Sequence, residues 1–167
     1  QMHKKNISIS GELPEYFSEY KIIDLKSKVS KQKSDCNKIF DFGCGIGNSV
    51  PFFYKHFSAA NFSFTDVSLR SIDIAIQRFG NPDNFHQIVD SIPLRTESQD
   101  ISFSACVFHH IPNDEHIYWL SEIKRVTKLG GTLAIYEHNP LNFLTRRAVS
   151  DCPFDVNAEL IPATKMK

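Results

Sequence analysis

The sequence predicts an α/β domain: a doubly wound, mostly parallel sheet with helices on both faces. Two observations carry that expectation. Short apolar runs at residues 38–42, 61–66, 85–90, 101–108 and 132–137 alternate with segments of helical period. Such alternation implies right-handed crossovers between parallel strands. A glycine-rich turn, Gly43-Cys44-Gly45-Ile46-Gly47, also follows the first run directly. In an open sheet of this kind the first strand-to-helix turn is the default ligand site.

The elements follow in order. Residues 13–25 place Tyr16, Tyr20, Ile23 and Leu25 near helical spacing. The stretch "KSKVSKQKSDCN" then reads as a polar connection. "KIFDF" is the first strand, and the helix after Gly47 tolerates Pro51 because that residue lies near its start. "NFSFTD" is the second strand. Ser68 is expected to cap a helix whose Ile72, Ala75, Ile76 and Phe79 share a face, and Gly80 to stop it. "FHQIVD" and "ISFSACVF" are the third and fourth strands. Asn113 is expected to cap the next helix, with Ile117, Leu120, Ile123 and Val126 on one face and Gly130-Gly131 ending it. "TLAIYE" is the fifth strand.

The chain of 167 residues fits one domain with a real core. Nineteen basic and nineteen acidic side chains cancel, so no general field favours nucleic acid. No run is apolar enough for a membrane span. Four scattered cysteines without a C-x-x-C pair point to free thiols in a reducing, cytoplasmic setting.

The glycine spacing narrows the ligand. A dinucleotide fingerprint G-x-G-x-x-G needs glycine at position 48, where Asn48 stands, and no G-K-[ST] follows as a P-loop requires. Asp41 precedes the loop, and no Lys or Arg lies between Lys38 and Lys55. A pyrophosphate would meet a carboxylate without countercharge, whereas a ligand carrying an ammonium and a sulfonium would meet a favourable partner. S-adenosylmethionine (SAM) is such a ligand. Asp66 ends the second strand, where an acid accepts ribose hydroxyls in nucleoside-binding sheets. Asp90 ends the third and can accept from an adenine amino group, with Ile92 and Leu94 near the ring.

"DFGCGIGNSVPFF", "FTDVSLRSIDIA", "VDSIPLRTESQDISFSACVFHHIP" and "EIKRVTKLGGTLAIYEHNP" stand in this order over residues 38–140. The series resembles the motifs of class I SAM-dependent methyltransferases, closest to the small-molecule group that includes ubiquinone- and menaquinone-biosynthesis enzymes. The resemblance implies a Rossmann-like sheet of order 3-2-1-4-5, SAM as cofactor and S-adenosylhomocysteine as product, and a small-molecule acceptor. It divides the chain into an N-terminal helical cap and linker (1–37), a SAM-binding core (38–138) and a C-terminal helical segment (139–167).

Residue by residue, it implies cofactor contacts from Asp41, Gly43, Cys44, Gly45, Gly47, Asp66, Val67, Asp90, Ser91, Ile92 and Phe108. Tyr20, with Tyr16 and Phe17, would close over the cofactor or pack in the core. Cys44 is expected as a small filler rather than a reactive thiol. His109, His110 and His138 are the base candidates, since imidazole titrates near working pH. Because "HHIP" recurs in the family whatever the acceptor, a structural or cofactor-shelf role for His109 and His110 is expected ahead of a base. Glu137 accompanies His138. No metal site is expected: the sequence neighbours His109 and His110 should point different ways, and no H-E-x-x-H is present.

Family sheets continue after the fifth strand with a helix and an antiparallel strand pair. Here "NPLNFLTRRAVSDCPFDVNAELIPATKMK" leaves room for a helix or two, so a shortened chain is expected, with its fifth strand an exposed edge able to pair in a homodimer. A monomer is the other expected state. An NAD(P)-dependent oxidoreductase, a catalytically silent SAM-binding module and an aminopropyl transferase remain the rival readings.

Overall fold

The computed structural model describes residues 14–30, 37–152, 155 and 158–165. Part of the expected polar connection, residues 31–36 with Cys36, lies outside the described residues, as does Leu13. The described elements run α1 (Pro14–Val29), β1 (Lys38–Phe42), α2 (Val50–His56), β2 (Asn61–Asp66), α3 (Leu69–Phe79), β3 (Phe85–Gln87), β4 (Gln99–Ala105), α4 (His116–Val126), β5 (Thr127–Tyr136) and α5 (Phe143–Ser150). Three-residue 3₁₀ turns stand at Pro82–Asn84, Phe108–His110 and Ala163–Lys165.

All strand pairs are parallel, in the order β3-β2-β1-β4-β5. The sheet therefore has the expected order. Central β1 is buried along all but its first residue. Strand alternation sends Ile39 and Asp41 to one face and Phe40 and Phe42 to the other. Beneath the first face, Phe53 of α2 packs edge-on against Phe103 and tilted against Phe62 and Phe64. Ile22, Leu25 and Val29 of α1 complete this layer. The opposite layer gathers Phe40, Phe42, Ile88, Ile92, Phe108, Ile123 and Val126 around the sheet.

Several local expectations hold closely. β1 and β2 have the expected bounds, and the Ser68 hydroxyl accepts the N–H of Ser71 at 3.2 Å. Gly80 ends α3 with φ +67°. Elsewhere tertiary pairing overrides the local signal. α1 continues to Val29, and its buried stripe is Ile22, Leu25 and Val29, whereas Tyr16, Tyr20 and Ile23 are exposed. β3 stops at Gln87 instead of Asp90, and β4 runs Gln99–Ala105 rather than 101–108.

The Asn113 cap is not formed. α4 starts after Glu115, and the Asn113 amide donates to Glu159 on the C-terminal segment. Nor do the glycines end α4. Thr127 leaves the helix, donates its hydroxyl to the Ile123 carbonyl at 2.6 Å and pairs with Gln99 in the sheet. Gly130 and Gly131 fall instead within β5, where the register against β4 shifts between Gln99 and Ile101. Gly131 is tightly enclosed there: a Cβ would lie 2.9 Å from the Lys128 carbonyl oxygen. Among the described residues β5 pairs only with β4, and it borders a groove of about 320 Å³ beside Asp24, Leu25 and Lys28 of α1.

Candidate cofactor site

The site is built where β1, β2 and β4 end. Gly43 and Cys44 both donate their backbone N–H to the Thr65 carbonyl, at 2.9 and 2.8 Å, which folds the loop back over β2. Gly43 has φ +77°, and a Cβ on it would sit 2.4 Å from a Val107 methyl carbon. Only glycine lets β1 turn this close to the exit of β4. Gly45 is a different case. Its φ is +54°, yet a Cβ there would meet nothing within 4 Å. Its backbone faces open space, and its N–H donates to Asp66 Oδ2 at 2.8 Å. Asp66 Oδ1 accepts from Ser68 N at 2.8 Å, so β2's terminal acid braces the loop from both oxygens. Each oxygen retains acceptor capacity for a further donor.

Asp41 differs from its sequence expectation. It is buried at 3% exposure. Burial, then the charge of Asp66, push its carboxyl up to about 8, with Lys21 opposing. Without a ligand it is therefore largely protonated near neutral pH. The expected absence of a nearby cation also fails, because α1 lies against this end of the sheet. Lys21 Nζ donates to Cys106 Sγ at 3.1 Å and acts electrostatically on Asp41 and His138. Lys21 lies far outside the stretch whose charge the sequence reading weighed. Cys106 itself is held at φ +59°, an uncommon conformation for a residue with a Cβ. Cys44 is buried; burial, then Asp41 and Asp66, raise its thiol far from a reactive thiolate at neutral pH.

The other expected contacts divide by exposure. Asp90 and Ser91 are exposed in the loop after β3, Val67 is exposed beside Asp66, and Tyr20 is exposed and stacked on Tyr16. The Ile92 and Phe108 side chains are buried in the core layer beneath the sheet, so what they can offer a ligand is backbone. Tyr16, Phe17 and Tyr20 are surface aromatics rather than core.

Beyond β4 the chain makes a 3₁₀ turn through Phe108, His109 and His110. Glu137 organises it. Its Oε1 accepts the N–H groups of Val107 and Phe108, each at 2.8 Å, and its Oε2 lies 2.6 Å from His109 Nδ1. Burial alone would raise this carboxyl, but His109 and the two backbone donors hold it below the usual carboxylate range. His110 is lowered by burial and then by His109, and His138 by burial and then by Lys21; both are neutral bases at neutral pH. The expected divergence of His109 and His110 does not occur. Their rings lie 4.1 Å apart, and both approach Asp155, a residue no sequence signal singles out.

A methyltransferase-domain family model matches residues 39–131, from the start of β1 into β5. The chain belongs to the methyltransferase-domain family. No curated protein matches it in sequence. Solved structures share the fold. A SAM-dependent methyltransferase from Thermotoga maritima is 19% identical, with a TM-score of 0.64 over 90% of this chain and 70% of its own. One from Archaeoglobus fulgidus is 15% identical, with a TM-score of 0.64 over 87% and 65%. DesVI of Streptomyces venezuelae is 17% identical, with a TM-score of 0.61 over 75% and 53%. This methyltransferase domain thus spans between about half and 70% of the length of these three structures.

Proposed function

We propose that this methyltransferase domain transfers a methyl group from SAM to a small-molecule acceptor. The observation that carries the reading is the pairing of a buried Asp41 with the open backbone of Gly45 at one loop. A cationic amino-acid group brought to Asp41 supplies the charge that burial denies it, and the carboxyl then ionises. Asp66, already fixed by the Gly45 and Ser68 N–H groups, is positioned as the ribose acceptor, and the exposed Asp90–Ser91 loop as the adenine contact.

Bound SAM supplies a methyl on a sulfonium, which an acceptor nucleophile takes in line. The chain's own work is to align that acceptor and exclude water, which supplies several kcal/mol of the barrier. No covalent intermediate on the protein is needed. His138, neutral and facing the Lys21 side of the site, is the residue to take a proton from a hydroxyl or amine acceptor, adding ~10²–10⁴-fold. Tyr20 and its exposed neighbours on α1 are the residues to close over the bound cofactor.

Calorimetric titration with S-adenosylhomocysteine and with NAD tests the cofactor. Binding of the first alone supports the reading, and binding of NAD alone ends it. Transfer of labelled methyl from SAM to a metabolite extract tests the acceptor class: a labelled small product is expected. Tight binding of SAM without product from any extract would favour a silent binding module.

A further inference from the structure

Three ligand-type atoms converge beside the exit of β4, two from the adjacent His109 and His110 and one from Asp155, far along the chain. His109 is buried, with its side chain 1% exposed. Its Nδ1 lies 2.6 Å from Glu137 Oε2. An ionised carboxylate only accepts, so Nδ1 carries the proton, and a neutral ring then presents a lone pair at Nε2. That Nε2 faces Asp155 Oδ1 at 3.7 Å. The same oxygen is 3.4 Å from His110 Nε2. The three groups offer ligand atoms that all lie within 4.8 Å of one another.

These separations are too long for charge-assisted hydrogen bonds, which close to roughly 2.7–2.9 Å. The 3.4 Å separation falls within a different geometry, and the 3.7 Å one lies just beyond it. Ligands about 2.0–2.2 Å from one tetrahedral ion stand roughly 3.3–3.6 Å from each other. In that tautomer His109 Nε2 and Asp155 Oδ1 are both acceptors, an unfavourable pairing without something positive between them. A metal ion resolves all three contacts together.

We propose that His109, His110 and Asp155 bind one divalent transition-metal ion of the zinc class. Two imidazole nitrogens and one carboxylate oxygen are a donor set suited to such an ion. Glu137 supplies the outer support, fixing the tautomer and orientation of His109. Asp155 is held from both sides: its N–H donates to the Cys152 carbonyl at 3.0 Å, and its carbonyl accepts from Ala158 N at 2.9 Å. Glu159 N adds a bond to the His109 carbonyl at 2.9 Å, so the segment after α5 already docks here. His110 is 44% exposed, which leaves the ion an open side for water or a substrate oxygen. The ion ties the C-terminal segment to the turn after β4, whatever reaction the domain performs.

The test uses the whole chain, free of any polyhistidine tag and stripped with a chelator. Titration with Co²⁺ is expected to give d–d absorption bands that saturate at one equivalent and are displaced by Zn²⁺. Zn²⁺ is expected to raise the melting temperature. Asp155→Asn and His110→Gln remove direct ligands and are expected to weaken binding by more than the roughly 10–100-fold that loss of an outer partner costs, while circular dichroism stays native. His86→Gln, on distant β3, is expected to bind as the parent does. Absence of Co²⁺ bands in the folded parent overturns the proposal. So does binding as strong as the parent's in both Asp155→Asn and His110→Gln.

Discussion

Glu137 and His109 join the exits of two neighbouring strands through a 2.6 Å hydrogen bond. The other oxygen of Glu137 accepts the Val107 and Phe108 N–H groups. One carboxylate therefore satisfies three donors where the chain leaves the sheet and its backbone partners run out. The turn after β4 owes its shape to a residue about thirty positions downstream. Its stability and its chemistry are coupled through that side chain.

Replacing Glu137 separates charge from shape. Glu137→Ala leaves two buried backbone N–H groups and an imidazole without their acceptor, and should cost about 3 kcal/mol or more. Glu137→Gln keeps an acceptor oxygen for the backbone but loses the charge, and should cost about 1.5 kcal/mol. Urea denaturation of the three proteins measures the difference. Equal losses would show that the charge carries the whole effect, and a loss confined to Glu137→Ala that the side chain serves only to fill space.

Two loop glycines should respond in opposite ways. Gly43→Ala forces a Cβ into Val107 in a backbone region that disfavours side chains, so roughly 2–4 kcal/mol of stability is lost. Gly45→Ala meets no protein atom and carries about 1–2 kcal/mol of backbone strain. Its methyl instead enters the space assigned to the cofactor. Melting temperature should fall mainly in the first variant, and S-adenosylhomocysteine affinity should fall in the second well beyond its loss of stability. Unchanged affinity in Gly45→Ala would move the ligand elsewhere.

This split between shape and ligand shows what was legible in the sequence. β1 and β2 are short apolar runs bounded by polar or glycine residues, so their limits are written locally. The capping hydroxyl of Ser68 and the stop at Gly80 are local in the same sense. The face of α1 was readable but misread. Ile22, Leu25 and Val29 keep a helical period, yet the larger Tyr16 and Tyr20 draw the eye to the solvent side. The end of α4 was not readable, because pairing of Thr127 with Gln99 decides it and the glycines only serve the bulge that follows. In the site, Asp41 and Gly45 lie in one continuous motif and Asp66 ends the next strand, so all three could be named in advance. Lys21 and Asp155 reach the same end of the sheet from opposite ends of the chain, and nothing local marks them.

Arg125 tests how the loop after β3 is held. Its guanidinium pairs with both oxygens of Glu122, at 2.7 and 2.8 Å, and donates to the Ile92 and Leu94 carbonyls at 2.9 Å each. Glu122 also accepts Ile92 N at 3.0 Å. A lysine retains the charge but cannot fork across these partners. Arg125→Lys should lose about 1–2 kcal/mol and speed hydrogen exchange at the Ile92 and Leu94 amides. The β1 amides should keep their protection. Uniform acceleration across the sheet would mean global destabilisation rather than release of one loop.

Asp41 makes the pH dependence of the domain predictable. Burial raises its carboxyl from the ordinary value of 3.8 to about 8 in the folded protein. Between those values the native state holds a proton that the unfolded chain has released. Stability from this group therefore falls as pH rises from about 4 to about 8, by up to about 1.4 kcal/mol per unit, and is flat above. Asp41→Asn should remove that slope and be the more stable protein at pH 8. It should also lose affinity for S-adenosylhomocysteine, because a neutral amide gives the ligand's ammonium no ionisable partner. In the parent, binding should release a proton below pH 8, so the calorimetric enthalpy should change with the ionisation enthalpy of the buffer. If the parent and Asp41→Asn show the same pH–stability curve, the carboxyl is ionised throughout. The electrostatic basis of the proposed cofactor site would then fail with it.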